Sequence, residues 1–96
     1  MATFFMFGKY NAESLREMSI ERTDQVVAEI EKLGGQVTAM HALLGQFDLL
    51  LCVKLPGVEE AMKASVGITK LTGISFTTNP AVTVETFDRI VTQPSG

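Results

Sequence analysis

The chain is poor in the residues from which most catalytic and metal sites are built. It has one cysteine, one histidine, one tyrosine and no tryptophan. A lone thiol, Cys52, excludes an intrachain disulfide, and its place in an apolar run suits a reduced thiol in a cytoplasmic setting. A lone histidine, His41, with no cysteine or carboxylate at ligand spacing, matches no recognised zinc pattern. No metal and no other cofactor is therefore expected. Basic residues number 8 against 11 acidic ones, for a net charge of −3. The basic footprint that nucleic acid requires is missing, and no Lys/Arg cluster suits an anionic membrane surface. No apolar run approaches the ~20 residues of a membrane-spanning helix. The apolar start, Met1 to Lys9, lacks the basic region of a signal peptide.

What the chain has in quantity is apolar surface. Hydrophobic residues make up 46% of its 96 positions, and the mean hydropathy is +0.23. A chain of this length forms one domain, residues 1–96, and buries well under three quarters of its surface. Such richness implies that partner subunits bury part of it.

Residues 3–10, dominated by Phe, Met and Tyr, read as a strand buried on both sides. Asn11 caps a short helix over 12–18, with Glu13 in its first turn. Ser19 caps a longer helix over 20–33, with Ile20, Thr23, Val26, Val27, Ile30 and Leu33 on one stripe. Gly34-Gly35 stops it. Strands follow over 36–44 and 47–55, joined by Gly45-Gln46, and Pro56-Gly57 breaks the second. A helix over 58–71 turns Val58, Ala61, Met62, Ser65, Ile68 and Leu71 inward. A strand over 74–79 stops at Pro80. Thr83 caps a last helix over 84–92 with Phe87, Ile90 and Val91 as its apolar side, and Pro94-Ser95-Gly96 forms a loose tail. The order βαββαβ plus a terminal helix is that of an α+β, ferredoxin-like fold. Right-handed crossovers put both main helices on one face of an antiparallel sheet of order 4-1-3-2.

Glycine in the first loop position fits a type II′ turn, which pairs Leu44 with Phe47. Leu43 then opposes Asp48, His41 opposes Leu50, Ala39 opposes Cys52 and Val37 opposes Lys54. Side chains alternate along a strand, so Thr38, Met40, Ala42, Leu44, Phe47, Leu49, Leu51 and Val53 face the helices. Val37, Ala39, His41, Leu43, Asp48, Leu50, Cys52 and Lys54 occupy the other face. That face is mixed but largely apolar, and no helix remains to cover it fully, since the C-terminal one is short. An exposed apolar area of ~500–600 Å² there marks an interface or a ligand surface, and burying it yields at most about 12–15 kcal/mol. Two sheets are expected to meet face to face in a homodimer.

Four residues are candidates for a ligand site. Asp48, a carboxylate on the sheet face, suits a cationic or hydrogen-bonding ligand; the alternative is a structural role accepting backbone N–H groups. His41 shares its face, as an acid–base group or as a plain structural histidine. Lys9 and Tyr10 end the first strand close to Asp48, with an ion pair from Lys9 or a hydroxyl contact from Tyr10. Both parities of that strand are apolar, so the face of each stays open. No positioned nucleophile accompanies His41 and Asp48, so no triad forms. Cys52 reads as an inert small hydrophobe, Gly34-Gly35 ends a helix and is no phosphate loop, and Arg22 reads as a solvated helix residue.

Gly8-Lys9-Tyr10, Glu21-Arg22-Thr23, Lys32-Leu33-Gly34-Gly35, Leu44-Gly45-Gln46-Phe47-Asp48 and Glu85-x-Phe87-Asp88 occur in the order seen in the GYD domain family, which the whole chain resembles. The motif that names the family is Gly-x-Tyr-Asp, here Gly45-Gln46-Phe47-Asp48. The resemblance implies a dimeric α+β barrel made of two ferredoxin-like sheets. The Gly-aromatic-Asp hairpin is also similar to that of effector domains of leucine-responsive-type regulators, which bind amino acids between subunits. Cofactor-free monooxygenases share the superfold. Two departures stand out: Phe47 lacks the tyrosine hydroxyl, and Ser75 occupies a fourth-strand segment where members carry an arginine. The function expected is a non-catalytic oligomeric module binding a small metabolite between its sheets, as a sensor or accessory. The alternatives are a small cofactor-free enzyme of monooxygenase or isomerase type and a purely structural homo-oligomer.

Overall fold

The structure is a computed structural model that describes residues 1–93; the tail expected over 94–96 lies outside the described residues. The elements run β1 (Ala2–Lys9), α1 (Ala12–Arg16), α2 (Ile20–Lys32), β2 (Gln36–Ala42), β3 (Leu49–Leu55), α3 (Val58–Thr72), β4 (Ser75–Ala81) and α4 (Val84–Thr92). The four strands form one antiparallel sheet in the order β2-β3-β1-β4, the expected order read from its other edge.

Central β1 splits its side chains between two environments. Phe4 and Met6 point into the core with Leu51, Val53 and Leu55 of β3. The core is closed by Val26 and Ile30 of α2 and by Ala61, Ala64 and Ile68 of α3. Full burial of an aliphatic side chain such as Leu51 or Ile30 contributes about 1.5–3 kcal/mol. The two alanines let α3 lie close on the sheet, and this changes which of its residues face inward. Val58 and Met62 stay 59% and 65% exposed, although the apolar periodicity pointed them at the core.

Local chemistry starts the helices where the sequence says, although α1 ends at Arg16 instead of residue 18. The Asn11 side chain accepts from the Ser14 amide at 2.7 Å, and the Ser14 hydroxyl accepts from the Asn11 amide at 2.9 Å, a reciprocal box. Ser19 and Thr83 accept from the amides of Arg22 and Thr86, each at 3.0 Å. Arg22 is more than a solvated residue: its guanidinium donates to the Ser14 carbonyl at 2.6 Å and ties α2 to α1. Gly35 is required by space, because a Cβ there would run into the Lys54 carbonyl and the Leu55 side chain.

Three further details, all in the strands, differ from expectation. β4 does not stop at Pro80, which pairs with Phe4 within the strand; β4 is a sheet edge, where a residue without an N–H is tolerated. The register of β2 with β3 is as expected from Ala39 to Ala42, then shifts by one residue between Val37 and Ala39. This bulge turns Val37 onto the core and sets Gln36, instead of Val37, opposite Lys54. Thr38 is exposed and donates its hydroxyl to the Cys52 carbonyl at 2.9 Å. Finally, the β2–β3 connection is no two-residue turn. It spans residues 43–48 and is closed by the Leu43 amide donating to the Asp48 carbonyl at 2.9 Å. Gly45 sits at φ 146°, far from the ~60° of a type II′ first position.

The last helix stands apart. Thr83 caps it, yet none of its residues is buried, and Val84, Phe87, Ile90 and Val91 are each more than half exposed. The radius of gyration is 14.9 Å, against about 12.5 Å for a compact chain of this length. Among the described residues no helix is long and apolar enough to cross a membrane.

Candidate functional site

The face of the sheet away from α2 and α3 is open. Strand pairing sets His41, Leu50, Phe7 and Thr77 in one row across it and Ala39, Cys52, Phe5 and Asn79 in the next. Phe5, Phe7, Leu50, Cys52 and Ala39 are half-buried by one another, while His41, Thr77 and Asn79 at the sheet edges are exposed. The result is an apolar centre between two polar margins, uncovered by any helix among the described residues. Phe47 adds to that centre. The expected turn placed it against the helices, but the wider 43–48 connection breaks the alternation. Its ring lies 5.2 Å from that of Phe7, tilted by 40°, a separation typical of favourable aromatic pairs.

Asp48 sits where three strands come together. Its amide donates to the Gly8 carbonyl, its carbonyl accepts from Leu43, and its carboxylate Oδ2 accepts from the Tyr10 amide, each at 2.9 Å. One residue thus extends the β1–β3 ladder, closes the hairpin and caps the end of β1. Lys9 falls on the open-face parity with Thr3, Phe5 and Phe7. Its ammonium does not pair with Asp48; it donates to the Gln46 carbonyl at 3.1 Å and so holds the loop tip. Among the described residues the one ion pair is Lys63–Glu59 on α3, at 3.5 Å.

Tyr10 lies on the other side. It lines a small crevice with Val26, Met40, Leu49 and Phe76, so its side chain belongs to the helix face and only its amide meets Asp48. His41 is exposed on edge strand β2, and among the described residues its side chain makes no hydrogen bond. The structure therefore gathers Lys9, Asp48 and the Tyr10 backbone at one corner of the sheet and leaves His41 apart from them. Among the described residues no three His, Cys, Asp or Glu side chains come together as a metal site.

A family model for the GYD domain matches residues 3–91. The chain belongs to the GYD domain family. Its signature tetrapeptide, Gly45-Gln46-Phe47-Asp48, maps onto the corner just described, where the aromatic residue packs on Phe7 and the aspartate joins three strands. No curated protein matches the sequence. Among solved structures, the chain is similar to the leucine response regulatory protein of Mycobacterium tuberculosis, with a TM-score of 0.57 and 10% identity. The match covers 85% of this chain and 51% of that one, so the chain aligns with about half of the regulator. At such identity the likeness is one of fold: an α+β sandwich of the ferredoxin-like kind.

The sequence did not show that Phe5 and Phe7 form the open-face centre, because both parities of β1 are apolar. The signal was Lys9, a lysine at the strand end that marks the solvent-side parity two residues beyond Phe7. The Phe47–Phe7 pair carried no comparable signal, since it depends on a loop geometry that Gly45 alone does not specify.

Proposed function

We propose that this GYD chain is a homodimeric module in which two open sheet faces stack into a barrel and hold a small metabolite between them, in a sensor or accessory role. The observation that supports the reading is the open face itself: Phe5, Phe7, Leu50, Cys52 and Phe47 form an apolar centre that no element among the described residues covers. Contiguous apolar surface of this kind is characteristic of interfaces and ligand grooves. The fold shared with a leucine response regulatory protein supports a sensing role. A ligand with an apolar body and a polar head fits this chemistry. The body rests on the phenylalanines, and the head meets Lys9, His41 or the second carboxylate oxygen of Asp48. A net charge of −3 gives the chain no basic footprint for nucleic acid, and the half-buried Cys52 suits the reducing cytoplasm.

Catalysis has less support. A general base must reach its substrate and be free to take a proton, whereas Asp48 is engaged by the Tyr10 amide and His41 stands alone. The reading is tested by thermal denaturation in the presence of the common amino acids and small carboxylic acids, one at a time. A ligand at a hundred times its Kd adds about 2.7 kcal/mol. Stabilisation by one class, lost in Phe7→Lys, is the expected result. No stabilisation by any member leaves the purely structural oligomer.

A further inference from the structure

On the helix side, away from the open sheet face, lies a second uncovered surface. Val58, Met62 and Val66 follow one another along α3, and with Phe4, Thr78 and Pro80 they line a groove of about 390 Å³ between α3 and edge strand β4. Its only polar side chains, Ser65 and Thr78, bond each other at 2.6 Å. The floor thus makes little demand for water, and the groove suits an apolar occupant. Periodicity placed Val58 and Met62 in the core; instead they form the outer wall of the groove.

The chain also carries an apolar ridge with no groove of its own. Val84, Phe87 and Val91, joined by Ile90, lie along one side of α4, and each is more than half exposed. The dimensions match. From Val58 to Val66 along α3 is about 12 Å, and from Val84 to Val91 along α4 is about 10.5 Å, at 1.5 Å per residue.

We infer that α4 docks its apolar side into the α3–β4 groove of a second copy of the chain. Among the described residues no part of α4 lines the groove of its own chain; only Val82 and Thr83 link the helix to β4, and Thr83 is held in the extended cap conformation by its bond to Thr86. Area points to exchange in both directions. Four apolar side chains of roughly 100 Å² each give ~400 Å² per helix, with a similar area from the groove. One such contact falls short of a stable interface, whereas a reciprocal pair buries ~1,600 Å² in total, the standard size. This contact is distinct from the sheet-to-sheet stacking proposed above and does not depend on it.

Cysteine pairing between copies tests it in a Cys52→Ser background. One preparation carries Phe87→Cys, a second carries Met62→Cys, and a control carries Glu59→Cys, whose position on α3 is not part of the groove lining. Under mild oxidation, mixing the first two is expected to give at least tenfold more linked pair than mixing the first with the control. A yield equal to the control overturns the inference. So does a doubly substituted chain, Met62→Cys with Phe87→Cys, that closes its disulfide at the mass of one chain, for then α4 folds back on its own groove.

Discussion

The Asp48 corner and the α4 helix are opposites in how they are held. At the corner, one residue makes three hydrogen bonds to Gly8, Leu43 and Tyr10, residues distant in sequence or across the hairpin. A neighbouring aromatic pair, Phe7 with Phe47, packs beside it. In α4 the hydrogen bonding is entirely local. Thr83 caps its start, Thr92 bonds back to the Asp88 carbonyl, and none of its residues is buried. The corner is specified by topology and α4 by its own sequence. Isolated helices of about nine residues are marginal in water without a packed face. Among the described residues this capped, amphipathic helix buries none of its apolar side chains, which leaves its apolar side available to a partner.

Substitutions on the two sides of this contrast should separate in size. The reference is the core that the corner adjoins. Leu51→Ala, at a fully buried β3 position, is expected to lower unfolding stability by about 2–5 kcal/mol in urea denaturation. Asp48→Ala removes a charge-assisted cap at a half-buried site and should cost about 1–2 kcal/mol. Asp48→Asn keeps an acceptor for the Tyr10 amide and should cost under about 1 kcal/mol. If the two Asp48 variants were equally damaging, the carboxylate charge rather than the bond to Tyr10 would be the important feature. On the α4 side, Thr83→Ala and Phe87→Asp should each change the stability of the dilute chain by no more than about 0.5 kcal/mol. Thr83→Ala should nevertheless speed amide exchange throughout α4 while β1 and β3 stay protected. A loss of several kcal/mol from Phe87→Asp under dilute conditions would show α4 packing on its own chain and would erase the contrast.

The same contrast explains what could be read from the sequence. The three side-chain caps were legible, because such a cap is a relation among residues three apart: Asn11 with Ser14, Ser19 with Arg22, Thr83 with Thr86; α3 starts at Gly57 without one. So was the strand order, which follows from the element order and handedness; the register from Ala39 to Ala42 agrees with expectation although the two-residue turn it was read from is replaced by the 43–48 connection. The bulge beside Thr38 and the wide 43–48 connection were not legible, since nothing in the composition of β2 or in Gly45-Gln46 specifies them. Their consequences were large for single residues: Val37 moved to the core and Phe47 to the open face. The α3 stripe misled for another reason. Val58, Ala61, Met62 and Ser65 are all compatible with an inward face, and only close packing through Ala61 and Ala64 decides that the larger residues form an outer wall. At the candidate site, Asp48 was legible as an odd carboxylate at the start of an apolar strand. Its bond to the Tyr10 amide was one of two roles the sequence left open, and the Lys9 bond to Gln46 was not legible at all.

The most direct test of the sheet-to-sheet association is sedimentation equilibrium of the native chain and of Phe7→Lys at micromolar concentration. The expected mass for the native chain is at least twice the single-chain 10.4 kDa, with Phe7→Lys reducing it because a lysine now sits at the centre of the stacked faces. A native chain sedimenting at the single-chain mass, or a Phe7→Lys variant whose mass equals that of the native chain, would contradict the claim that the open sheet face is where two copies meet.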